Sequence, residues 1–123
     1  MINWFKKTLG EENVFVSDDY RAAYSTDASN IYGQAKLIVF PRSINDVHAI
    51  IMFAKRTKIA LTVRGGGTSL VGGVVPNDSV ILDMSRMNKI IKINEEEGFL
   101  FRVPIYEVII NVILVLFLFF VYA

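Results

Sequence analysis

Five of the eight glycines in this chain lie between residues 65 and 73, beside one arginine and two hydroxyl side chains. The stretch follows a short apolar run and reads Arg-Gly-Gly-Gly-Thr-Ser-Leu-Val-Gly-Gly from Arg64 to Gly73. Consecutive glycines let the backbone adopt positive φ angles and approach a bound group closely. Successive N–H groups in such a loop can converge on phosphate oxygens, and hydroxyl and guanidinium groups add donors. The pattern predicts a phosphate-binding loop at the end of a strand.

Two widespread phosphate motifs do not match these residues. Gly67 and Gly72 have the glycine spacing of a Walker loop, but Gly73 stands where that motif requires lysine. Gly65 and Gly67 fit a Rossmann fingerprint, but Leu70 replaces its third glycine. Taken alone, the loop therefore also fits a glycine-rich turn between strands that binds nothing.

Further blocks on both sides of the loop resemble one family in the same order. The loop is similar to the pyrophosphate-binding loop of flavin-linked oxidases and dehydrogenases of the vanillyl-alcohol oxidase type, which carry a PCMH-type FAD-binding domain. Within that family the D-lactate dehydrogenase and glycolate oxidase flavoprotein subunit branch is the most similar. The blocks span about residues 19 to 100 and comprise Tyr24–Ser29, Ile38–Ser43, Asp46-Val47, Val80–Asn88 and Ile90–Ile93.

The resemblance implies an α+β fold that forms the first half of a PCMH-type FAD-binding domain, with a βαβ unit and hairpin strands. Some relatives bind the flavin covalently through a histidine near the loop glycines; Thr68 and Ser69 stand there in this chain, which implies non-covalent FAD. Pro41 corresponds to a proline near the adenine side of the cofactor. The implied cofactor-binding residues are Pro41, Arg64, Gly65, Gly66, Gly67, Thr68, Ser69, Leu70, Gly72 and Gly73.

The implied activity is that of the full-length relatives, which oxidise a small 2-hydroxy acid such as D-lactate or glycolate and pass electrons to FAD. In that family the catalytic residues lie mostly in a cap domain that follows the FAD domain. The sequence therefore identifies FAD as a partner of this chain, and a 2-hydroxy acid as a partner of the full-length relatives. It indicates no catalytic residue here.

Local signals predict the elements that position the loop. Ser17 is a candidate N-cap for a short helix that ends at Tyr24. Ser43 and Asp46 form a candidate capping box for a second helix. The helical spacing of Ile44, Val47, Ile51 and Ala54 predicts its buried face, with His48 on the surface or packed beside it. The predicted strands are Ala35–Phe40, Ile59–Val63, Val80–Asp83 and a hairpin of Lys89–Asn94 with Phe99–Val103.

Other charged residues predict structure more than chemistry. Asp83 and Arg86 are expected to pair at the end of a strand. The three consecutive glutamates at positions 95–97 are expected to form a solvated turn, because adjacent carboxylates on a turn lack the different environments that acid–base catalysis needs.

Composition excludes several functional classes. Thirteen Lys and Arg against twelve Asp and Glu give a net charge of +1, which argues against nucleic acid as a partner. Without cysteine there is no disulfide or thiolate site, and a single histidine argues against a histidine-built metal site. The first ten residues lack the apolar core and cleavage site of a signal peptide, so the predicted location is cytoplasmic.

The end of the chain differs from the rest. Residues 108–123 are almost entirely apolar, yet a membrane-spanning helix needs about 20 apolar residues and Glu107 would be costly inside it. The predicted division is an N-terminal helical segment (1–34), a partial PCMH-type domain (35–103) and an apolar tail (104–123). We interpret the tail as the product of a frameshifted or prematurely ended gene. The alternative is a single-pass protein, attached to the membrane through residues 108–123, with a nucleotide-binding or non-catalytic head.

Overall fold

The computed structural model describes residues 1–94 and 99–102, and the chain divides into two compact units, residues 1–86 and 87–123. The second unit contains an antiparallel pair of strands, β5 (Ile90–Asn94) and β6 (Phe99–Arg102), which confirms the predicted hairpin strands. The first unit contains α1 (Ile2–Leu9), a short 3-10 helix (Glu11–Asn13), β1 (Val14–Phe15), α2 (Asp18–Ala23), β2 (Gln34–Val39), α3 (Ile44–Thr57), β3 (Leu61–Arg64) and β4 (Asn77–Asp83).

The first unit is built on a four-stranded sheet in the order β1-β2-β4-β3. β2 and β3 both run parallel to β4, and β1 pairs antiparallel with β2. The predicted β2-α3-β3 unit is present, and β4 lies between its two strands. The carboxyl ends of β2, β4 and β3 therefore lie along one edge of the sheet.

The two central strands form the core because their residues are apolar on both faces. Parallel strands covered on both sides read as continuous apolar runs rather than as alternating patterns. Leu37–Val39 and Val80–Leu82 are such runs, and all six residues are almost completely buried. On one face Ile38 and Ile81 pack with Phe40, and the rings of Phe15 and Tyr24 lie against this cluster.

Helix α3 begins at the predicted capping box. The Ser43 hydroxyl accepts a hydrogen bond from the Asp46 amide at 3.1 Å, and the Asp46 carboxylate accepts one from the Ser43 amide at 3.1 Å. These bonds satisfy amides that the first turn of a helix otherwise leaves without partners. The helix ends at Thr57, and the next residue, Lys58, adopts the left-handed conformation with φ 58°.

The predicted buried face of α3 is partly wrong. Ile44 and Ile51 are 67% and 48% exposed, whereas Ile50, Phe53 and Ala54 are buried. The face is rotated because α1 packs against the helix: Trp4 stacks on Phe53 with ring centroids 3.9 Å apart, and Phe5 meets the same ring edge-on. His48 is exposed, which agrees with the expected placement on the surface of the helix rather than packed beside its apolar face.

The expected pairing of Asp83 with Arg86 is also wrong. Asp83 accepts hydrogen bonds from the Tyr24 hydroxyl at 2.6 Å and from the Ser85 amide at 2.8 Å. The guanidinium of Arg86 instead donates to the side chain of Asn13 and lies 4.5 Å from the centre of the Phe40 ring. The carboxylate and the guanidinium thus connect β4 to two different parts of the N-terminal segment.

Two predictions fall beyond the described residues. The expected turn at 95–98 and the apolar tail at 104–123 lie there, so both stay predictions. In the described part of the chain, no helix has the length and apolar character that crossing a membrane requires.

Candidate functional site

The glycine-rich loop leaves β3 after Arg64 and returns to the sheet at the start of β4, Asn77. It therefore begins at the carboxyl edge of the three parallel strands. Open α/β sheets bind their ligands outside the carboxyl ends of parallel strands, where loops from neighbouring strands diverge. The topology places the predicted phosphate loop at such an edge.

The second half of the loop is closed by its own hydrogen bonds. The Ser69 hydroxyl oxygen accepts from the amides of Val71 at 3.3 Å and Gly73 at 3.0 Å, and the Gly72 carbonyl accepts from the Val75 amide at 3.1 Å. Gly72 has φ 74°, a conformation that residues with a β-carbon rarely adopt. Ser69 therefore orders the loop through its hydroxyl.

The first half of the loop leaves backbone donors free. Within the described residues, the amides of Gly66, Gly67 and Thr68 make no hydrogen bond. Gly67 has φ 70°, and Gly66 and Thr68 are exposed. A β-carbon built on Gly66 has the Thr68 methyl group, 3.8 Å away, as its nearest neighbour, so open space adjoins the backbone here. Three successive free amides beside open space fit the oxygens of a phosphate group.

Arg64 is held beside the loop by neighbouring groups. Its Nη1 donates to the Thr26 carbonyl at 2.7 Å, and its guanidinium carbon lies 5.0 Å from the centre of the Tyr24 ring. A β-carbon on Gly67 would collide with this guanidinium, so the side chain packs directly against the loop backbone. The structure thus brings the predicted cation to the site but gives it protein partners there.

The Tyr24 ring beneath Arg64 is itself anchored. Its hydroxyl donates to Asp83, which lies opposite Arg64 in the β3–β4 register. Burial, and then the hydrogen bond to Asp83, raise the pKa of Tyr24 well above its usual range. Tyr24 therefore remains a neutral hydrogen-bond donor at physiological pH, and its ring packs against the guanidinium of Arg64.

A buried carboxylate, Asp27, lies next to the loop. The residue is 9% exposed, and its Oδ1 accepts from the Ser29 amide at 2.8 Å and from the Ser29 hydroxyl. Its Oδ2 is buried and has no hydrogen-bond partner among the described residues. The hydrogen bond from the Ser29 side chain, with smaller contributions from Ser69 and Val74, lowers the pKa of Asp27 despite its burial. The carboxylate is therefore ionised at neutral pH.

The remaining predicted site residues differ in placement. Leu70 is 76% exposed at the tip of the loop. Pro41 follows β2 at the same edge of the sheet, but β4 separates it from β3 and its ring is fully buried.

The sequence patterns predicted neither Thr26 nor Asp27 as a site residue. The Asp-x-Ser pattern at 27–29, which favours a turn closed by the carboxylate, was the available signal.

Comparison with known proteins identifies the family of this domain. Residues 35–101 match the FAD binding domain family. The chain is 36% identical over 101 residues to the mitochondrial D-2-hydroxyglutarate dehydrogenase of Arabidopsis thaliana, covering 80% of this chain and 18% of that protein. It is 32% identical over 89 residues to glycolate oxidase subunit GlcD of Bacillus subtilis, covering 71% of this chain and 19% of that protein. The chain thus spans about a fifth of the length of these relatives.

Solved structures agree with the sequence comparison. The 4-ethylphenol oxidase of Gulosibacter chungangensis superposes with a TM-score of 0.68 at 30% identity, covering 77% of this chain and 20% of that one. p-Cresol methylhydroxylase superposes with a TM-score of 0.67 at 26% identity, with the same coverage. These matches confirm the expected resemblance, the α+β fold of the PCMH-type domain and FAD as its cofactor. The chain belongs to the FAD binding domain family.

Proposed function

We propose that this chain forms the pyrophosphate-binding part of a flavin-dependent 2-hydroxy-acid dehydrogenase or oxidase. The observation that carries the proposal is the row of three free amides at Gly66, Gly67 and Thr68, at the carboxyl edge of the parallel strands. Backbone amides bind phosphate oxygens most tightly when they are already oriented, because no reorganisation is then needed. Gly67 and Gly72 adopt positive φ angles, and the hydrogen bonds to the Ser69 hydroxyl oxygen hold the second half of the loop in shape.

The proposed contacts fall into two groups. The amides of residues 65–68 and the Thr68 hydroxyl would donate to the pyrophosphate of FAD. Ser69, Leu70, Gly72 and Gly73 would shape the loop around it, and Pro41 would support the adenine side from within the fold. FAD, bound here without a covalent link, would accept the hydride, which carries both electrons that oxidation of an alcohol releases, and the hydroxyl proton would leave separately. We assign no catalytic residue among the described residues, so cofactor binding is the activity proposed for this chain by itself.

The names of the sequence relatives support the proposed substrate class. They include D-2-hydroxyglutarate dehydrogenases, a D-lactate dehydrogenase of Anaerostipes hadrus and glycolate oxidase subunit GlcD. Each named substrate carries a hydroxyl group on the carbon next to a carboxylate. A protein that contains this domain would therefore oxidise a small 2-hydroxy acid, with the substrate held by parts of the protein outside the loop described here.

A titration with two flavins tests the proposal. FAD carries the pyrophosphate and riboflavin lacks it, while both share the isoalloxazine ring. We expect the purified chain to bind FAD at least about tenfold more tightly than riboflavin, because each hydrogen bond to a charged group contributes about 1.5–3 kcal/mol. Flavin fluorescence anisotropy measures both affinities. Equal affinities, or no binding of FAD, would overturn the proposal.

A further inference from the structure

Residues 26–32 form a short loop that packs against the glycine loop, and we call these residues the brace. Its two ends are joined by a bridge between Thr26 and Tyr32. Thr26 accepts the hydrogen bond from Arg64, the residue at which the glycine loop begins. A β-carbon on Gly72 would lie 2.9 Å from Ile31 Cδ1, so the brace also packs against the other end of the glycine loop. Thr26 and Arg64 are 38 residues apart in sequence, yet the two loops contact each other at both ends.

Asp27 orders the part of the brace that packs against Gly72. Its carboxylate accepts hydrogen bonds from the amide and the hydroxyl of Ser29, and the Ser29 Oγ lies 3.8 Å from a β-carbon built on Gly72. Gly72 stands between Val71 and Gly73, whose amides donate to the Ser69 hydroxyl oxygen. Asp27 therefore holds the brace against the segment of the glycine loop that Ser69 closes.

We propose that the brace holds the glycine loop in its phosphate-binding conformation before FAD arrives, and that Asp27 and Arg64 are positioning residues that do not contact phosphate. The proposal rests on the proposed function, because it concerns the same site. Glycine loses more conformational freedom on ordering than any other residue. A loop with five glycines would lose that freedom on binding FAD, and a preformed contact surface removes the loss.

The charge on Asp27 allows the proposal to be distinguished from a simple electrostatic effect. A carboxylate repels phosphate, so neutralising Asp27 would strengthen FAD binding if the charge acted only through space. If Asp27 instead orders the loop, Asp27→Asn weakens FAD binding although it removes a repulsive charge. The two accounts predict changes of opposite sign.

The experiment uses the whole chain and measures FAD affinity together with amide NMR spectra of the ligand-free protein. Asp27→Asn is expected to weaken FAD binding about tenfold, which corresponds to the loss of one charge-assisted hydrogen bond. The amide resonances of residues 65–73 should shift or broaden while those of β2 and β4 stay in place. Asp19→Asn is the matched control, because Asp19 is an exposed carboxylate in α2.

A second variant tests the opposite end of the brace. Ile31 is 51% exposed, so Ile31→Ala leaves the core intact, and it removes the side chain that contacts Gly72. We expect weaker FAD binding and a displaced Gly72 amide resonance. Unchanged or tighter FAD binding by both variants, with an unchanged glycine-loop spectrum, would overturn the brace while leaving the proposed function intact. Failure of the parent chain to bind FAD would overturn the proposed function alone, because the ligand-free spectra still decide whether the brace orders the loop.

Discussion

At the scale of single residues, the donors in the glycine loop serve two different purposes. Their types suggested that Arg64, Thr68 and Ser69 all face phosphate. The structure shows that the Ser69 hydroxyl accepts from two loop amides and that the Arg64 guanidinium donates to the Thr26 carbonyl. The sequence of a loop shows which donors it contains, but the group that engages Arg64, the Thr26 carbonyl, comes from a segment 38 residues away. The amides that remain free belong to Gly66, Gly67 and Thr68, and the types of these residues do not show whether their amides are hydrogen-bonded.

Arg64 provides the first prediction at this scale. Arg64→Lys keeps the positive charge, but an ammonium group lacks the planar fork that bonds Thr26 while lying over Tyr24. If Arg64 positions the loop, the lysine variant should lose nearly as much FAD affinity as Arg64→Met. If Arg64 is a direct phosphate ligand, lysine should preserve most of the affinity. Fluorescence titration of the three chains with FAD decides between these outcomes.

The pH dependence of stability gives a second prediction for Asp27. Because the pKa of Asp27 is lowered in the folded chain, its stabilising contribution is complete above the unfolded pKa of about 3.9. The contribution is lost as the pH falls through the lowered folded value. The difference in thermal midpoint between the parent and Asp27→Asn should therefore be largest near neutral pH and shrink below about pH 4. A difference that stays constant from pH 7 to pH 3 would show that the ionised carboxylate is not what stabilises the brace.

At the scale of elements, local sequence signals predicted where helices and strands begin and end, but not how those elements pair and pack. The capping box at Ser43 and the strand boundaries near Pro41 are encoded within a few residues, and both were predicted. The insertion of β4 between β2 and β3 was not, because strand order depends on pairing between distant segments. Strand β1, with two residues, is too short to show a pattern. The rotated face of α3 depends on α1, whose packing the sequence of α3 does not contain.

Two serines at helix N-termini offer a matched test of the capping box. Ser43 accepts the Asp46 amide at the start of α3, whereas Ser17, at the start of α2, makes no capping hydrogen bond through its side chain. We expect Ser43→Ala to lower the free energy of unfolding by about 1 kcal/mol, the usual effect of removing an N-cap. Ser17→Ala should change it much less. Urea unfolding of both variants measures the difference, and equal effects would contradict the assignment.

At the scale of the whole molecule, the chain spans about a fifth of the length of its relatives. Affinity for a ligand as large as FAD depends on burying both aromatic ring systems as well as on holding the phosphates. The described residues provide an exposed glycine-rich loop, the proposed phosphate site, and they place the fully buried Pro41 at the same edge. The family and its cofactor followed from the order of several short blocks, while the arrangement of the brace against the loop needed the three-dimensional structure.

Retention of flavin tests this view of the whole molecule. We expect FAD to bind the chain reversibly and to leave it during desalting, because the loop supplies phosphate contacts without enclosing the ring systems. The visible absorption spectrum before and after gel filtration measures the bound fraction. A stoichiometric flavin spectrum that survives the column would mean that this chain encloses the cofactor by itself.

The central claim is that the backbone at Gly66 approaches the pyrophosphate of FAD, and Gly66→Ala tests it most directly. Gly66 has no positive φ, and an added β-carbon meets no atom closer than 3.8 Å, so the variant should unfold at the same temperature as the parent. Ala60→Val, at the exposed residue just before the other end of β3, serves as the control. We expect Gly66→Ala to bind FAD at least about tenfold more weakly, with riboflavin binding unchanged, because the methyl group occupies the space that phosphate oxygens need. An FAD affinity equal to that of the parent would contradict the account.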